Sequence, residues 1–289
     1  MHIISYKLPY KDLDATMEKL QINDIYNVFY ENPLEITTDD YGYGYIEKDD
    51  EDIILKVALE DGEAELSDFL ATLKGILGMD YIDIEENHYD YTSFEFPAIH
   101  IDDNWVIAAP EEEFPDKKKI NFISQGAFGT GLHETTQDCL RYILKSDLKN
   151  KSVLDIGTGS GILSLAAAKK DASKIVALDI RDVSAEIEYN ASLNSIDNIE
   201  VAVGNALDGE VSFEEKFDFV IINIGGEETL MFKDFIYNTL KDNGTLLISG
   251  LVTWSYEDVL KGLPDLNLTI IDKSISNEWV TVLCRRNPL

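Results

Sequence analysis

The segment KSVLDIGTGSG, residues 151–161, decides the fold of this chain. Its first residues are β-branched and aliphatic and predict a strand, and Gly157, Gly159 and Gly161 predict a tight turn after it. The apolar run that starts at Ile162 predicts a helix. A glycine turn lets backbone N–H groups and a helix N-terminus approach a ligand closely. The sequence therefore predicts a ligand site at the carboxyl end of this strand, in an open α/β sheet.

Acidic residues near the turn indicate that the ligand is a nucleoside. The dinucleotide-binding pattern G-x-G-x-x-G would need its third glycine at Ile162, so the segment departs from the NAD pattern. Asp155 completes the pattern D-x-G-x-G-x-G, which resembles the turn of S-adenosylmethionine methyltransferases. Asp179 ends the next predicted strand, where a carboxylate can accept hydrogen bonds from two ribose hydroxyls. A βα turn that binds nothing is the alternative interpretation.

The composition limits the class of protein. The chain has 289 residues, 45% of them hydrophobic, which is enough for two domains with large cores. Neither an apolar stretch of about 18 residues nor a signal peptide is visible. The two cysteines, Cys139 and Cys284, do not have the spacing of a metal site. We therefore expect a cytoplasmic protein with reduced thiols, no membrane segment and no metal.

The net charge of −31 is unevenly distributed. Residues 1–100 contain 24 Asp and Glu against six Lys, a net charge of −18. A field of this sign repels a phosphate backbone and argues against nucleic acid as a partner. It attracts a basic protein or a cation. The alternative is that the charge serves only solubility.

The first 90 residues predict a small domain of their own. Strands are expected at 2–8, 25–31, 52–60 and 81–86, and helices at 12–20 and 66–77. The order βαββαβ predicts an α+β ferredoxin-like domain over residues 1–90. The polar segment 33–52 predicts a hairpin or a loop. Residues 91–120 predict a connector, in which Trp105 is expected to pack between the domains.

Residues 121–289 alternate between strand and helix patterns. Strands are expected at 152–157, 174–180, 199–204, 217–224, 244–251, 266–275 and 279–285, and helices near 132–145, 161–170, 183–194, 227–240 and 255–261. Helix-length crossovers predict that the first five strands are parallel, and a short turn predicts that the last two form an antiparallel hairpin. This is the layout of the Rossmann-like, seven-stranded class I methyltransferase sheet.

A second motif precedes this sheet, QGAFGTGLHETTQDCL at 125–140. The pattern F-G-T-G-x-H-x-T-T, followed by D-x-G-x-G-S-G-I-L, resembles the ribosomal protein L11 methyltransferase family. The segments FVIINIGG (219–226), LLISGL (246–251) and EWVTVLCRR (278–286) agree with that family. The resemblance implies a methyl transfer from S-adenosylmethionine to lysine side chains and the N-terminal amine of L11, a basic protein.

The resemblance also implies the site residues. Asn223 is expected beside the transferable methyl group. His133 is expected either to take a proton through a water molecule or to order the start of a helix. The residues expected to bind the cofactor are Thr136, Gly157, Gly159, Asp179, Asn205, Asn223, Phe128 and Thr130.

The chain departs from the family pattern at several positions. Glu134 replaces a proline, Arg181 and Asp182 replace an Asp-Pro pair, and Gly225 with Gly226 replaces a Leu-Ala pair. Three alternatives therefore stay open: a methyltransferase for another protein or a small amine, an inactive protein that binds S-adenosylmethionine and a partner, and an NAD-dependent oxidoreductase. The segment after Asn223 lacks the N/D-P-P-Y/F sequence, which argues against adenine or glutamine nitrogens as acceptors.

Overall fold

The structure is a computed structural model that describes residues 2–23, 25, 27–31, 34–38, 43–47, 52–59, 66–86, 97–125 and 129–288. The chain forms two compact units, one within residues 1–94 and one whose main span begins at residue 95. Each unit has its own buried hydrophobic residues. Among the described residues, no helix combines the length and the apolar character that crossing a bilayer requires.

The first unit is built on a four-stranded antiparallel sheet. Its elements are β1 (His2–Pro9), α1 (Leu13–Ile22), β2 (Val28–Glu31), β3 (Leu34–Thr38), β4 (Tyr43–Glu47), β5 (Asp52–Leu59), α2 (Leu66–Leu77) and β6 (Asp83–Glu86). The strand order is β2-β5-β1-β6, and neighbouring strands are antiparallel. This order confirms the ferredoxin-like arrangement. β3 and β4 form a hairpin within the polar segment.

Alternating burial along β5 forms the core of this unit. Ile53, Leu55 and Val57 are fully buried, and the two residues between them are partly exposed. Leu73, on the apolar face of α2, is fully buried in the same cluster. α2 ends at Gly78, whose φ of +69° and N–H bond to Lys74 O (3.0 Å) make the left-handed C-cap that the sequence predicts.

The second unit is built on a seven-stranded sheet. Its elements are β7 (Ile99–His100), β8 (Trp105–Ala108), β9 (Lys118–Asn121), α3 (Glu134–Lys145), β10 (Ser152–Ile156), α4 (Ile162–Ala168), β11 (Lys174–Asp179), α5 (Ser184–Ser192), β12 (Ile199–Val203), β13 (Phe217–Asn223), α6 (Gly226–Met231), α7 (Lys233–Thr239), β14 (Leu240–Val252), α8 (Tyr256–Lys261), β15 (Leu268–Ser276) and β16 (Trp279–Arg286). The large sheet has the order β12-β11-β10-β13-β14-β16-β15.

The strand directions agree with the sequence prediction. The first five strands of the large sheet are parallel, and β16 lies antiparallel between β14 and β15. The carboxyl ends of β10, β11, β13 and β14 therefore meet at one edge, where open α/β sheets bind ligands. One helix differs: the segment predicted as a single helix over 227–240 forms α6 and α7, which meet at Phe232.

Residues 97–121 differ from the expected connector. β7, β8 and β9 form a small sheet, and all four residues of β8 are buried. Trp105, which the sequence suggested would pack between domains, is 8% exposed and belongs to the core of the second unit, in one cluster with Ile107, Ile120 and Leu140. The physical reason is that these short apolar strands bury their side chains in the core that also includes α3.

Arg286 joins the last strand to the end of α7. Its side chain is 2% exposed, and Nη1 donates to Tyr237 O (2.8 Å) and Leu240 O (2.7 Å). The guanidinium lies 4.4 Å from the centre of the Tyr237 ring. These bonds satisfy carbonyl groups that a helix end leaves without partners.

Replacing Arg286 with alanine should lower the free energy of unfolding of this unit by about 3 kcal/mol, because two buried hydrogen bonds are lost and a void remains. All three tryptophans lie in the second unit, so urea denaturation followed by tryptophan fluorescence reports on that unit. The matched control is Arg285→Ala at the exposed neighbouring position. Equal urea midpoints for the two variants would contradict a stabilising role of the Arg286 side chain.

Candidate active site

A glycine turn follows β10 at the carboxyl edge of the sheet. Gly157 has a φ of +68°, and its N–H donates to Leu178 O at 2.8 Å, which ties the turn to β11. A Cβ atom on Gly157 would lie 2.7 Å from Ile224 Cδ1. Only glycine meets both the backbone conformation and the close approach. The predicted turn is present, and Ile224 is the neighbour that makes Gly157 necessary.

Asp155 lies beneath this turn and holds it to α4. Its carboxylate is 1% exposed, and Oδ2 accepts hydrogen bonds from Thr158 Oγ1 and Ser164 Oγ, both at 2.8 Å. Burial raises the pKa of Asp155 to about 6, and the nearby charge of Asp179 acts in the same direction. Asp155 therefore connects the turn, the helix after it and the next acidic residue.

Asp179 lies at the carboxyl end of β11, beside the turn. Its Oδ2 accepts the N–H of Gly159 at 2.9 Å, and its Oδ1 accepts the N–H of Arg181 at 3.0 Å. The Arg181 guanidinium is 3.8 Å from the same Oδ1. Because the carboxylate is only 7% exposed and is bonded on both oxygens, its orientation is fixed.

A cavity of about 740 Å³ opens at the same edge, between the start of α3 and the ends of β13 and β14. Four predicted residues line it: Thr130, His133, Thr136 and Asn223. Asn223 Nδ2 donates to Thr136 Oγ1 at 3.4 Å, which joins β13 to α3 across the cavity floor. Its other lining residues are Gly129, Leu132, Glu134, Thr135, Arg181, Ile224, Gly250 and Trp279.

His133 is the N-cap of α3. Its side chain accepts the N–H of Thr135 through Nδ1 at 3.3 Å, and the same Nδ1 lies 2.9 Å from Thr135 Oγ1. The ring is exposed and contacts Trp279 edge to face, with centroids 5.0 Å apart. Of the two roles that the sequence left open, this geometry favours ordering the start of the helix.

Of the predicted site residues that the structure describes, Gly157, Gly159, Asp179 and Asn205 are not among those that line the cavity. Asn205 is bonded within its own loop: Nδ2 donates to Asp208 Oδ2 (2.6 Å), and Oδ1 accepts the N–H of Leu207 (3.0 Å). Phe128 lies outside the described residues. Conversely, Gly250 and Trp279 line the cavity although the predicted set lacks them. Both occur in motifs that resemble the family, LLISGL and EWVTVLCRR, and that signal would have found them.

Comparisons with known proteins give a consistent result. The family model described as "Ribosomal protein L11 methyltransferase (PrmA)" matches residues 26–287. An L11 methyltransferase of Bacillus subtilis is 30% identical over 285 residues, which covers 90% of this chain and 91% of the relative. One of Brevibacillus brevis is 31% identical over 256 residues, or 82% and 81% of the two chains.

This chain belongs to the ribosomal protein L11 methyltransferase family.

A solved structure agrees with this assignment. The ribosomal protein L11 methylase of Lactobacillus delbrueckii subsp. bulgaricus is 29% identical and has a TM-score of 0.59, covering 66% of this chain and 99% of that one. The predicted family and the class I methyltransferase fold are thereby confirmed. Membership of this methyltransferase family also agrees with the predicted cofactor, S-adenosylmethionine.

The structure shows where three departures from the family pattern lie relative to the candidate site. Glu134 begins α3, and its Oε1 accepts a hydrogen bond from Asn277 Nδ2 at 3.0 Å. Arg181 lies beside Asp179 and does not displace the N–H of Gly159 from that carboxylate. Gly225 has extended backbone, with a φ of 179°, and precedes α6. None of the three separates the turn, the carboxylate and the cavity.

The buried carboxyl of Asp155 predicts a pH dependence of stability. Its pKa is higher in the folded protein than in the unfolded chain, so the folded state binds more protons between pH 4 and about 6. The contribution of Asp155 to stability therefore falls as the pH rises through that window. Asp155→Asn keeps an oxygen for Thr158 and Ser164, and its advantage over the wild type should grow to roughly 2–4 kcal/mol by pH 7.

Urea midpoints by tryptophan fluorescence between pH 4 and 8 measure this advantage. Asp147→Asn, at an exposed aspartate, is the control and should give curves parallel to those of the wild type. An advantage of Asp155→Asn that is constant with pH would mean that Asp155 does not titrate in this window.

Proposed function

We propose that this chain transfers methyl groups from S-adenosylmethionine to amino groups of ribosomal protein L11, on lysine side chains and the N-terminal amine. The proposal depends on one observation: three features lie next to one another at the same edge of the sheet. These are the glycine turn, the fixed carboxylate of Asp179 and the cavity that contains Thr136 and Asn223.

The residues fit the nucleoside part of S-adenosylmethionine. Each oxygen of Asp179 accepts one backbone N–H, so each keeps a further lone pair for one ribose hydroxyl. The glycine at 157 lets Ile224, which lines the cavity, pack directly against the backbone of the turn. The cavity volume falls in the range of about 300–1,000 Å³ that is typical of small-molecule sites. Thr130 and Thr136 offer hydroxyl groups to the remainder of the ligand.

Bound S-adenosylmethionine supplies a methyl group on a sulfonium, which is a good leaving group. The protein must therefore mainly align the acceptor amine and exclude water. Hydrogen bonding to Thr136 orients the amide of Asn223, and within the described part of the chain no hydrogen bond reaches its Oδ1. We assign Oδ1 to an N–H of the incoming amine, which directs the amine lone pair toward the methyl group.

The acceptor must be neutral to attack. A lysine in water has a pKa of about 10.4, and desolvation together with a neighbouring positive charge lowers it. The cavity supplies desolvation through Leu132, Ile224 and Trp279. A dedicated general base is then unnecessary. In this scheme His133 orders α3, and Thr136 is thereby held at the cavity floor.

Two further predicted residues enter the proposal less directly. Asn205 belongs to the loop after β12, where Gly204 N–H donates to Asp179 O at 3.0 Å, so we assign this loop to the side of the adenine. Phe128 stays a prediction from the family motif.

The assignment of L11 as acceptor is supported by the family and by charge. L11 is named in the family description, and the net charge of −18 over residues 1–100 attracts a basic protein. A ribosomal acceptor also leads us to assign the reaction to the cytoplasm.

The direct test is transfer of labelled methyl from S-adenosylmethionine to recombinant L11, with mass spectrometry of the modified residues. We expect label on lysine side chains or the N-terminal amine. Asp179→Asn removes one ribose acceptor and should weaken S-adenosylmethionine binding at least tenfold. The exposed Asp182→Asn is the matched control. The same assay is run on a cell lysate. Label on a lysate protein but not on L11 would indicate another acceptor. No label in either sample, together with tight binding of S-adenosylmethionine, would indicate an inactive binding protein.

The roles of Asn223 and His133 can be separated by their effects on kcat. Asn223→Ala should lower kcat by about 100-fold with a small change in S-adenosylmethionine affinity, because the amine loses its alignment. His133→Ser keeps an N-cap oxygen for α3 and should retain kcat within about threefold. A loss of kcat in His133→Ser as large as in Asn223→Ala would assign His133 to proton transfer.

A further inference from the structure

Residues 118–125 run as an extended segment that is hydrogen-bonded along both sides. On one side it pairs with the parallel strand β8, and the N–H of Phe122 donates to Ala108 O at 3.0 Å. On the other side, the N–H groups of Asn121, Ile123 and Gln125 point away from β8. These three N–H groups are bonded to side chains of α5 and of the turn that ends it.

The bonding side chains are spaced four residues apart. Asn194 Oδ1 accepts the N–H of Asn121 (3.0 Å), and its Nδ2 donates to Asn121 O (2.6 Å). Asn190 bonds Ile123 in the same way, at 2.8 Å and 3.0 Å. Four helical residues rise about 6.0 Å, and two strand residues rise about 6.8 Å. Because these two distances are similar, side chains four residues apart can bond every second residue of the segment, as the backbone of a neighbouring strand would.

Glu186 completes the series, because its Oε1 accepts the N–H of Gln125 at 3.1 Å. We call Glu186, Asn190 and Asn194 the ladder. Asn190 is fully buried, and the other two are at most 9% exposed. Buried polar side chains with complete hydrogen bonding hold a backbone in one position.

The segment held by the ladder precedes, in the sequence, residues that line the cavity. Beyond it, Gly129 O accepts a hydrogen bond from Ser160 Oγ of the glycine turn at 2.7 Å. Gly129 and Thr130 line the cavity. The chain is therefore fixed to α5 before residue 126 and to the glycine turn after residue 128. α5 itself begins five residues after Asp179, so the two walls of the site share one support.

We infer that Asn190 and Asn194 are positioning residues for the S-adenosylmethionine site: they fix residues 121–123 so that Gly129 lies against the glycine turn and Thr130 lines the cavity. This inference rests on the proposed use of the cavity for S-adenosylmethionine. A ladder that serves stability alone would lower the unfolding midpoint of its variants and leave ligand affinity unchanged in the folded protein. A positioning ladder changes affinity as well, and that difference is measurable.

The experiment compares Asn190→Ala, Asn194→Ala and their double variant with the wild type in the full-length protein. Calorimetry measures the Kd for S-adenosylmethionine at a temperature where every variant is folded by circular dichroism. Methyl transfer to L11 at saturating S-adenosylmethionine gives kcat. Asn198→Ala is the matched control, because Asn198 Nδ2 bonds a backbone carbonyl, Ala172 O at 2.6 Å, away from residues 121–125.

We expect the Kd to rise about tenfold in each single variant and further in the double variant. The KM for S-adenosylmethionine should rise in parallel, with kcat at saturation within about twofold of the wild type. Asn198→Ala should be destabilised and keep the wild-type Kd. If the double variant does not fold, the Kd values of the two single variants decide whether the inference holds.

Wild-type Kd values in folded single variants would overturn the inference while leaving the proposed function in place. A wild-type protein that does not bind S-adenosylmethionine would instead overturn the proposed function.

Discussion

The hydrogen bond from Gly159 N–H to Asp179 Oδ2 joins the two strands on which the site depends. It fixes the glycine turn after β10 to the acidic end of β11. Asp155 supports the turn from below through two hydroxyl groups. Because both carboxylates are buried, the desolvation cost is offset only while these donors stay in place. The turn, the carboxylates and the start of α4 consequently form one rigid polar unit inside an apolar sheet.

The opposite wall of the cavity depends on contacts between α3 and the last hairpin. Asp138 accepts Ser276 Oγ at 2.8 Å, and Tyr142 OH lies 3.0 Å from Ser274 Oγ. His133 meets Trp279 at the top of the same interface. Since α3 also carries Thr136, the position of the hairpin determines how Thr136 meets Asn223. One side of the cavity is therefore positioned by the glycine turn, and the other side is positioned by packing of α3 against the last hairpin.

The alternating strands and helices of the large sheet could be predicted from the sequence because their signals are local. Gly157, Gly161 and the apolar strands specify a βα unit, and helix-length crossovers between strands specify that the first five strands are parallel. The short apolar strands of 97–121 were harder to predict, since two to four buried residues do not establish a periodicity. Phe232 similarly interrupts a helix without any glycine or proline signal.

The positions of the candidate site residues could be predicted from the sequence best where a motif fixes the backbone. Asp179 and Asn223 lie at the ends of β11 and β13, and Thr136 lies in the first turn of α3. The positions of Asn205 and Arg181 depend on loop hydrogen bonds, which a linear pattern does not contain. The ladder of Asn190 and Asn194 was missed for a related reason: its i, i+4 spacing is visible, but its partner segment lies about 70 residues earlier and becomes evident only in three dimensions.

A crystal structure of the protein with S-adenosylhomocysteine would show directly whether Asp179 binds the ribose. We expect both ribose hydroxyls within hydrogen-bonding distance of the Asp179 carboxylate and the sulfur atom facing Asn223 and Thr136. Electron density for the ligand at another place, or a ribose that does not contact Asp179, would contradict this expectation.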